Sequence, residues 1–407
     1  MNQTIRKRIE DINNGIVPEG YKQTPFGIFP CDWETDKKLN DLGAFDKGKG
    51  LPGDKMADEG VPCIGYGDIY MKYNYHFENA QNFVDEKTAS ESQPIEKGTL
   101  LFTGTGETAE EIGKCVCYNG DETIYAGGDI ILFNSKEVNP LFLAYQQYQD
   151  FSLKRKAMFG QGHSVVHIQR GELAKLYTAF PKDKTEQGKI AEILMKWDEM
   201  VELQEQYIQK LELRKKSIMK KLLTPKGGWR PIKFDMTCKK YSYSKELQTN
   251  QYQISGEYPV VDQGKNFIVA FTDNVDYIIN KNCEGLLLFG DHTTEIKYLD
   301  FCFAVGGDGV KLFQNNGSYD LKFVYYSLLS SPFLIEGYKR HSGILKKKDV
   351  FLPFKGNRSD IQEQKRIVTI LTQVDEEISL QKEKLAKIKE QRKAMQQYLL
   401  TGIVRVS

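Results

Sequence analysis

EQGKIAEILMKWDEMVELQEQYIQKLELRKKSIMKKLLT, residues 186–224, returns as EQKRIVTILTQVDEEISLQKEKLAKIKEQRKAMQQYLLT, residues 363–401. The two stretches align without a gap at an offset of 177, matching Glu186/Glu363, Gln187/Gln364, Ile190/Ile367, Asp198/Asp375, Gln204/Gln381 and Leu222-Leu223-Thr224/Leu399-Leu400-Thr401. Charged helices alike only by chance do not hold one register this long, so the chain carries an internal repeat. Apolar side chains recur at alternating spacings of four and three. The first copy has Ile190, Leu194, Trp197, Val201, Ile208, Leu211, Ile218 and Leu222; the second has Ile367, Leu371, Val374, Ile378, Leu385, Ile388, Met395 and Leu399. This is a coiled-coil seam in each copy. The same two seam positions are polar in both, Gln204/Gln381 and Lys215/Arg392. A seam glutamine lowers stability while fixing register or partner number, unless it merely faces solvent.

Each seam spans about 48 Å at 1.5 Å per residue. The first ends at Thr224-Pro225-Lys226-Gly227-Gly228, which breaks a helix, and a new globular segment starts at Trp229. The second helix is expected to return antiparallel along the first, with a globular domain at each end. The division is then a leader, 1–30; a first domain, 31–182; a first helix region, 183–225; a second domain, 226–359; and a second helix region with tail, 360–407. The expected fold class is α+β, a pseudo-two-fold repeat of two mixed α/β domains separated by two long helices. Arg6-Lys7-Arg8 faintly echoes Arg214-Lys215-Lys216, as though the N-terminus were the tail of a further helix repeat.

The two globular segments differ in detail but share landmarks in one order. Each opens near a tryptophan, Trp33 or Trp229, and holds an apolar run, Leu100-Leu101-Phe102 or Leu287-Leu288-Phe289. Each then carries Gly-Gly-Asp at 127–129 or 306–308, a His-Ser pair at His163-Ser164 or His341-Ser342, and a closing Phe180-Pro181 or Leu352-Pro353. Runs such as Ile130-Ile131-Leu132-Phe133 and Phe267-Ile268-Val269-Ala270-Phe271, divided by Gly, Asn and Asp, predict strand-rich domains. Similar scaffolds bearing different loops predict two sites with different targets. The aromatic cluster Tyr66, Tyr70, Tyr73, Tyr75 and Phe77 reads equally as a core strand or a base-stacking surface.

Of the 407 residues 40% are hydrophobic and 27% charged, which fits an ordinary globular protein with real cores. No apolar run suffices to span a membrane, and the polar start Met1-Asn2-Gln3-Thr4 followed by Arg6, Lys7 and Arg8 has no apolar signal region, so a cytoplasmic protein is expected. The seven cysteines are scattered, with Cys115 and Cys117 the closest pair, and are expected to be reduced and structural rather than zinc ligands. A net charge of +1 is low for a nucleic-acid binder, but net charge does not report how basic residues are distributed.

Three catalytic readings fail on the repeat or on spacing. Phe102-Thr103-Gly104-Thr105-Gly106 and Asn139-Pro140-Leu141-Phe142 suggest a methyltransferase cofactor loop and active site. The second half has Phe289-Gly290-Asp291-His292-Thr293 and Asp320-Leu321-Lys322-Phe323 there, so Asn139 and Asp320 read better as helix N-caps, with Pro140 in the first turn. A metal nuclease on Asp291, Glu295 and Lys297 has no counterpart in the first half. His163 and His167 lack the intervening glutamate of a zinc peptidase, so no metal site is assigned.

The doubled Glu-Gln…Ile…Ile-Leu…Asp-Glu…Leu-Gln…Leu-Leu-Thr helices, the tryptophan-led variable domains, the proline before each helix and the leader Pro25-Phe26-Gly27-Ile28-Phe29-Pro30-Cys31-Asp32-Trp33-Glu34 resemble the specificity subunits of type I restriction-modification systems. Nearly the whole chain takes part, although the second half lacks an obvious copy of Pro25–Pro30. The resemblance implies a non-catalytic subunit with two target recognition domains, each reading one half of a bipartite double-stranded DNA site. It implies an antiparallel coiled coil that spaces the domains and holds two methyltransferase subunits, with motor-nuclease subunits joining for restriction. No cofactor is expected in this chain; S-adenosylmethionine for adenine N6-methylation, ATP and Mg belong to the partners. Candidate DNA contacts are Lys47, Lys49, Lys55, Gln161 and His163 in the first half and Lys265, Asn266, Lys311, Arg340 and His341 in the second. They lie in polar, glycine-flanked turns and are residue types suited to phosphate or base edges. The alternating charges of Glu199, Glu202, Lys210 and Arg214-Lys215-Lys216 suit both a solvated face and a partner surface. The competing reading is a coiled-coil scaffold whose end domains bind protein.

Overall fold

The computed structural model describes every residue except 1–2, 52, 54–55, 163–164, 332, 334–339 and 407. The repeated stretches are uninterrupted α-helices, Lys184–Leu223 and Ile361–Leu400. Their starts are capped alike. The Asp183 carboxylate accepts from the Thr185 amide at 2.8 Å and the Asp360 carboxylate from the Glu363 amide at 3.0 Å, so the repeat includes the caps. Pro225 cannot continue the first helix, and Gly402, at φ +69°, turns the chain out of the second.

The chain forms two compact units, Met1–Leu203 with Ala386–Ser407, and Gln204–Leu385. Both long helices contribute to each unit, and within each they run antiparallel. In the second unit Gln204 meets Gln381, Leu211 packs with Val374 and Ile378, and Lys215 pairs with Asp375, so partner numbers fall as the first helix advances. In the first unit Ile190 and Leu194 share a core with Leu399 and Leu400, while Asp198 pairs with Arg392. The seam is closed. Ile190, Leu194, Gln204, Ile208, Leu211, Ile367, Leu371, Val374, Ile378 and Ile388 are buried, and Trp197, Val201, Gln381 and Leu385 half-buried.

The globular parts repeat one topology that their sequences barely show. In the first, the large sheet has the order Gly43–Lys47, Ile130–Ser135, Thr99–Thr103, Cys115–Tyr118, His76–Phe77; in the second it is Cys238–Tyr241, Val310–Asn315, Leu286–Gly290, Ile296–Leu299. A smaller sheet follows the order Asn82–Val84, Val61–Ile64, Ile124–Ala126, Gln93–Ile95 in one and Ala270–Thr272, Tyr258–Val261, Phe303–Val305, Ile278–Ile279 in the other. Even strand sense agrees: Val61–Ile64 is parallel to Ile124–Ala126, and Tyr258–Val261 to Phe303–Val305, with antiparallel flanks in both.

The central strands Thr99–Thr103 and Leu286–Gly290 are buried at every residue, as continuous apolar runs covered on both faces should be. Leu100 and Phe102 face a helical layer with Phe142, Leu143, Ile190 and Leu194, while Leu101, beside Leu132 of the same sheet, faces the smaller sheet through Ile64 and Ala126. Leu287 and Phe289 likewise meet Phe323, Val324, Ile367 and Leu371, and Leu286 and Leu288 meet Val261 and Val305. The tryptophan and proline landmarks are one feature: Trp33 pairs with Pro181, and Trp229 with Pro353, across short antiparallel ladders that bring the ends of each domain together.

Candidate nucleic-acid interface

Matching contacts fasten each globular domain to its helix pair. The Gln187 side-chain oxygen accepts from the Asn139 amide at 2.7 Å, and that of Gln364 accepts from the Asp320 amide at 2.9 Å. Asn139 and Asp320 are N-caps, their side chains accepting from the Phe142 and Phe323 amides at 3.1 and 2.9 Å. The Asn139–Phe142 segment is thus occupied in starting a helix. One turn further on, the Tyr145 hydroxyl donates to Asp198 at 2.6 Å and the Tyr326 hydroxyl to Asp375 at 2.7 Å. Arg392 completes the first group at 2.7 Å from Asp198, and Lys215 the second at 2.5 Å from Asp375. Burial, then the adjacent carboxylates, push both tyrosine pKa values upward, which keeps these hydroxyls protonated as donors. The Arg392 guanidinium also lies 4.1 Å from the centre of the Tyr75 ring and donates to its hydroxyl at 2.8 Å. In that aromatic cluster Tyr73 and Phe77 are buried in the core, Tyr70 and Tyr75 are half-buried, and Tyr66 is exposed.

In the first domain the polar turns gather around the Gly127-Gly128-Asp129 crossover between the two sheets. The Gly48 amide donates to Ile130 O at 2.8 Å and the Lys49 amide to Ala126 O at 3.1 Å, which holds exposed Lys47 and Lys49 beside it. A Cβ at Gly48 would collide with the Gly127 carbonyl, so glycine is required for this approach. From the other side the Gly104 amide donates to Asp129 O at 3.1 Å, and Ile168 N to Gly104 O at 3.0 Å. Exposed Gln161 and His167 bridge each other through their backbones, and His167 Nδ1 lies 3.2 Å from Thr105 Oγ1. Lys55 and His163 fall outside the described residues. Sequence reasoning missed His167 and Thr105, each having been weighed only for a catalytic motif.

The second domain builds the corresponding surface at Gly306-Gly307-Asp308. The Gln263 side chain donates to Asp308 O at 3.1 Å and accepts from the His292 amide at 3.1 Å. Lys265 and Asn266 follow it, exposed, and Phe267 and Ile268 beside them are exposed as well. Lys311 is half-buried on Val310–Asn315, opposite Phe289, and Arg340 is exposed. His341 is corrected: it is 1% exposed, its amide donates to Asp291 O at 2.8 Å, and its ring packs inside as the N-cap residue of helix Ser342–Lys347. It ties the strand-end loop to that helix instead of offering its ring to a duplex.

Asp291 and Lys297 have similar internal duties. Asp291 accepts from the Ser342 amide at 2.8 Å; burial raises its pKa, but the Ser342 hydrogen bonds, with Lys311 and His292, outweigh this and lower it. Lys297 is buried and donates to the carbonyls of Asp262 and Asn266 at 2.8 and 2.5 Å, and burial lowers its pKa. These bonds account for Asp291 and Lys297, two of the three side chains that had suggested a nuclease.

On the helices, Leu203 and Leu380 occupy equivalent places in the repeat and are 57% and 62% exposed, far above any seam residue. Both lie one residue before a seam glutamine, so the signal was present in the repeat as an apolar identity off the seam. No helix among the described residues is long and apolar enough to cross a membrane.

Residues 30–213 match the family described as the type I restriction modification DNA specificity domain. Over 95% of its length the chain is 26% identical to the putative type I restriction enzyme MjaX specificity subunit of Methanocaldococcus jannaschii, covering 97% of that protein. The fold is similar to that of the type I restriction-modification S subunit from M. genitalium, with a TM-score of 0.61, 16% identity and coverage of 94% and 99% of the two chains. A chain from a type I system solved to study complex assembly and conformational transition gives 0.54 and 13%, covering 92% and 99%.

Proposed function

We propose that this chain is a type I restriction-modification specificity subunit, reading a bipartite DNA site and directing the subunits that modify and cut DNA, and making and breaking no bond itself. The observation that carries the reading is the pair of domains that share the order of four strands in each of two sheets but differ in their loops, each loop set gathered at a Gly-Gly-Asp crossover. Lys47, Lys49, Gln161 and His167 would read one half-site; Lys265, Asn266, Lys311 and Arg340 would read the other. Lysine and arginine supply sequence-independent phosphate contacts, while Gln, Asn and Arg can engage purine edges in the major groove.

The helices supply the second part of the function. Leu203 and Leu380 give two equivalent apolar footholds, which suits two copies of one methyltransferase subunit. S-adenosylmethionine would bind those subunits, and ATP with Mg the motor-nuclease subunits. Helix length would set the unspecified gap between half-sites. The test is co-expression with the methyltransferase partner in an unmethylated host, followed by genome-wide mapping of N6-methyladenine. A two-part motif is expected. One part should change when residues 31–182 are exchanged for those of a relative, and the other when 226–359 are exchanged. An undivided motif, or none despite a stable complex, would favour the protein-binding scaffold.

A further inference from the structure

We propose that Cys283 and Cys302 are a reversible dithiol site, closed to a disulfide by exchange with a low-molecular-weight disulfide such as oxidised glutathione. Their sulfurs are 2.8 Å apart, although nineteen positions separate them in the chain. Thiols already in contact need side-chain rotation to join, whereas a pair with Cα atoms beyond about 7 Å needs backbone movement.

The approach is built by groups other than the sulfurs. Asn280, 6% exposed and at φ +58°, donates its side-chain amide to Glu284 O at 2.7 Å and Phe301 O at 2.9 Å. The Cys283 amide returns to Asn280 O at 2.8 Å, with Cys283 itself in the left-handed region at φ +51°. One buried asparagine therefore fixes the turn that carries Cys283 against the strand entry that carries Cys302. Burial distinguishes this pair from Cys63, Cys115, Cys117 and Cys238, which are enclosed in cores. Cys283 is exposed and Cys302 half-buried, so the expectation that all seven cysteines are structural does not extend to them. Hydrogen bonding with Cys283, then burial, raises the Cys302 thiol pKa, which leaves exposed Cys283 to meet the reagent first.

The exchange has two steps. The Cys283 thiolate attacks one sulfur of oxidised glutathione, forming a mixed disulfide and releasing one glutathione thiolate. The Cys302 thiolate then attacks the Cys283 sulfur, forming the internal bond and releasing the second glutathione. The two protein thiols lose two protons and two electrons; the electrons reduce the added disulfide, and the protons leave on the released thiols or to water. The adjacent Phe301 ring is 5.9 Å from Phe267, so the new bond would tether the support of the loop carrying Lys265 and Asn266.

The full-length reduced protein is incubated in mixtures of reduced and oxidised glutathione, quenched in acid, alkylated and mapped by peptide mass spectrometry. Exposed Cys31 reports that the reagent reaches the protein. Cys283 and Cys302 are expected to lose alkylation together and appear as one cross-linked peptide, reversed by excess reduced glutathione. In Cys302→Ser, glutathione should remain on Cys283. The proposal is overturned if the unmodified sequence stops at a glutathione adduct on Cys283, or if both thiols stay alkylated after Cys31 has reacted.

Discussion

Asp291 joins two distant segments with a single buried carboxylate, accepting from the Ser342 amide while its carbonyl accepts from the His341 amide. Its pKa is lower in the fold than its ordinary value of 3.8, so its ionised form contributes stability. That contribution is complete above the ordinary value and disappears as pH falls through the lowered one. Asp291→Asn should therefore destabilise the protein by up to about 1.5–3 kcal/mol at neutral pH, the range for a hydrogen bond to a charged group. The gap from the natural sequence should close in strong acid; urea titrations at both pH values measure it, and a gap independent of pH would remove the ionisation argument. Residue chemistry selected Lys47, Lys49 and Gln161, and the fold gathers them at one crossover. It could not exclude His341, because an exposed and a buried histidine are the same letter until Asp291, fifty positions away, is placed against it. Lys297 deceived for the same reason: its ammonium is directed to backbone carbonyls that sequence alone does not locate.

The helices were legible because a coiled coil repeats its burial pattern every seven residues, and a duplicated gene segment supplies a second copy of that pattern. What the pattern did not disclose was the use of its polar positions. Gln204 meets its own repeat counterpart, Gln381, at 2.9 Å, so the seam glutamines satisfy each other instead of facing solvent. Lys215 and Arg392 pair with Asp375 and Asp198, and the same two carboxylates accept from Tyr326 and Tyr145, contributed by domains whose sequences no longer align. The two equivalent groups differ in enclosure, with side-chain exposures of 10% and 21% for Arg392 and Asp198 against 21% and 32% for Lys215 and Asp375. Removing one member of a buried ion pair strands the other, at a cost of about 3–5 kcal/mol. Arg392→Met should approach the lower end of that range, while Lys215→Met should cost less, since water can still reach Asp375. Thermal unfolding of the two variants decides this; equal losses would show that enclosure does not set the cost. The sheet topology was the least legible feature, because the two domains share burial and strand order while sharing few residues.

If helix length sets the spacing of the two half-sites, the spacing must follow helix length and nothing in the loops. Two helices that pair antiparallel by a heptad pattern accept a whole heptad in each, because seven residues restore the seam to the same face. Fewer residues would rotate one side of the insertion relative to the other. One heptad adds about 10.5 Å of helix at 1.5 Å per residue, and DNA advances about 3.4 Å per base pair along one strand. The methylated motif should therefore keep both half-sites and gain about three unspecified base pairs when a heptad is added to both helices beside Gln204 and Gln381. Three base pairs also turn the second half-site by roughly a third of a helical turn, given about 10.5 base pairs per turn. The gain should thus be accompanied by reduced methylation unless the coiled coil or the duplex absorbs the twist. An added heptad in one helix alone should instead disrupt the register at the paired glutamines and lower stability. Mapping modified adenines for the two insertion variants separates these effects. An unchanged gap in a stable double-insertion protein would mean that the duplex, through its own bending, fixes the distance, and that helix length is not the ruler.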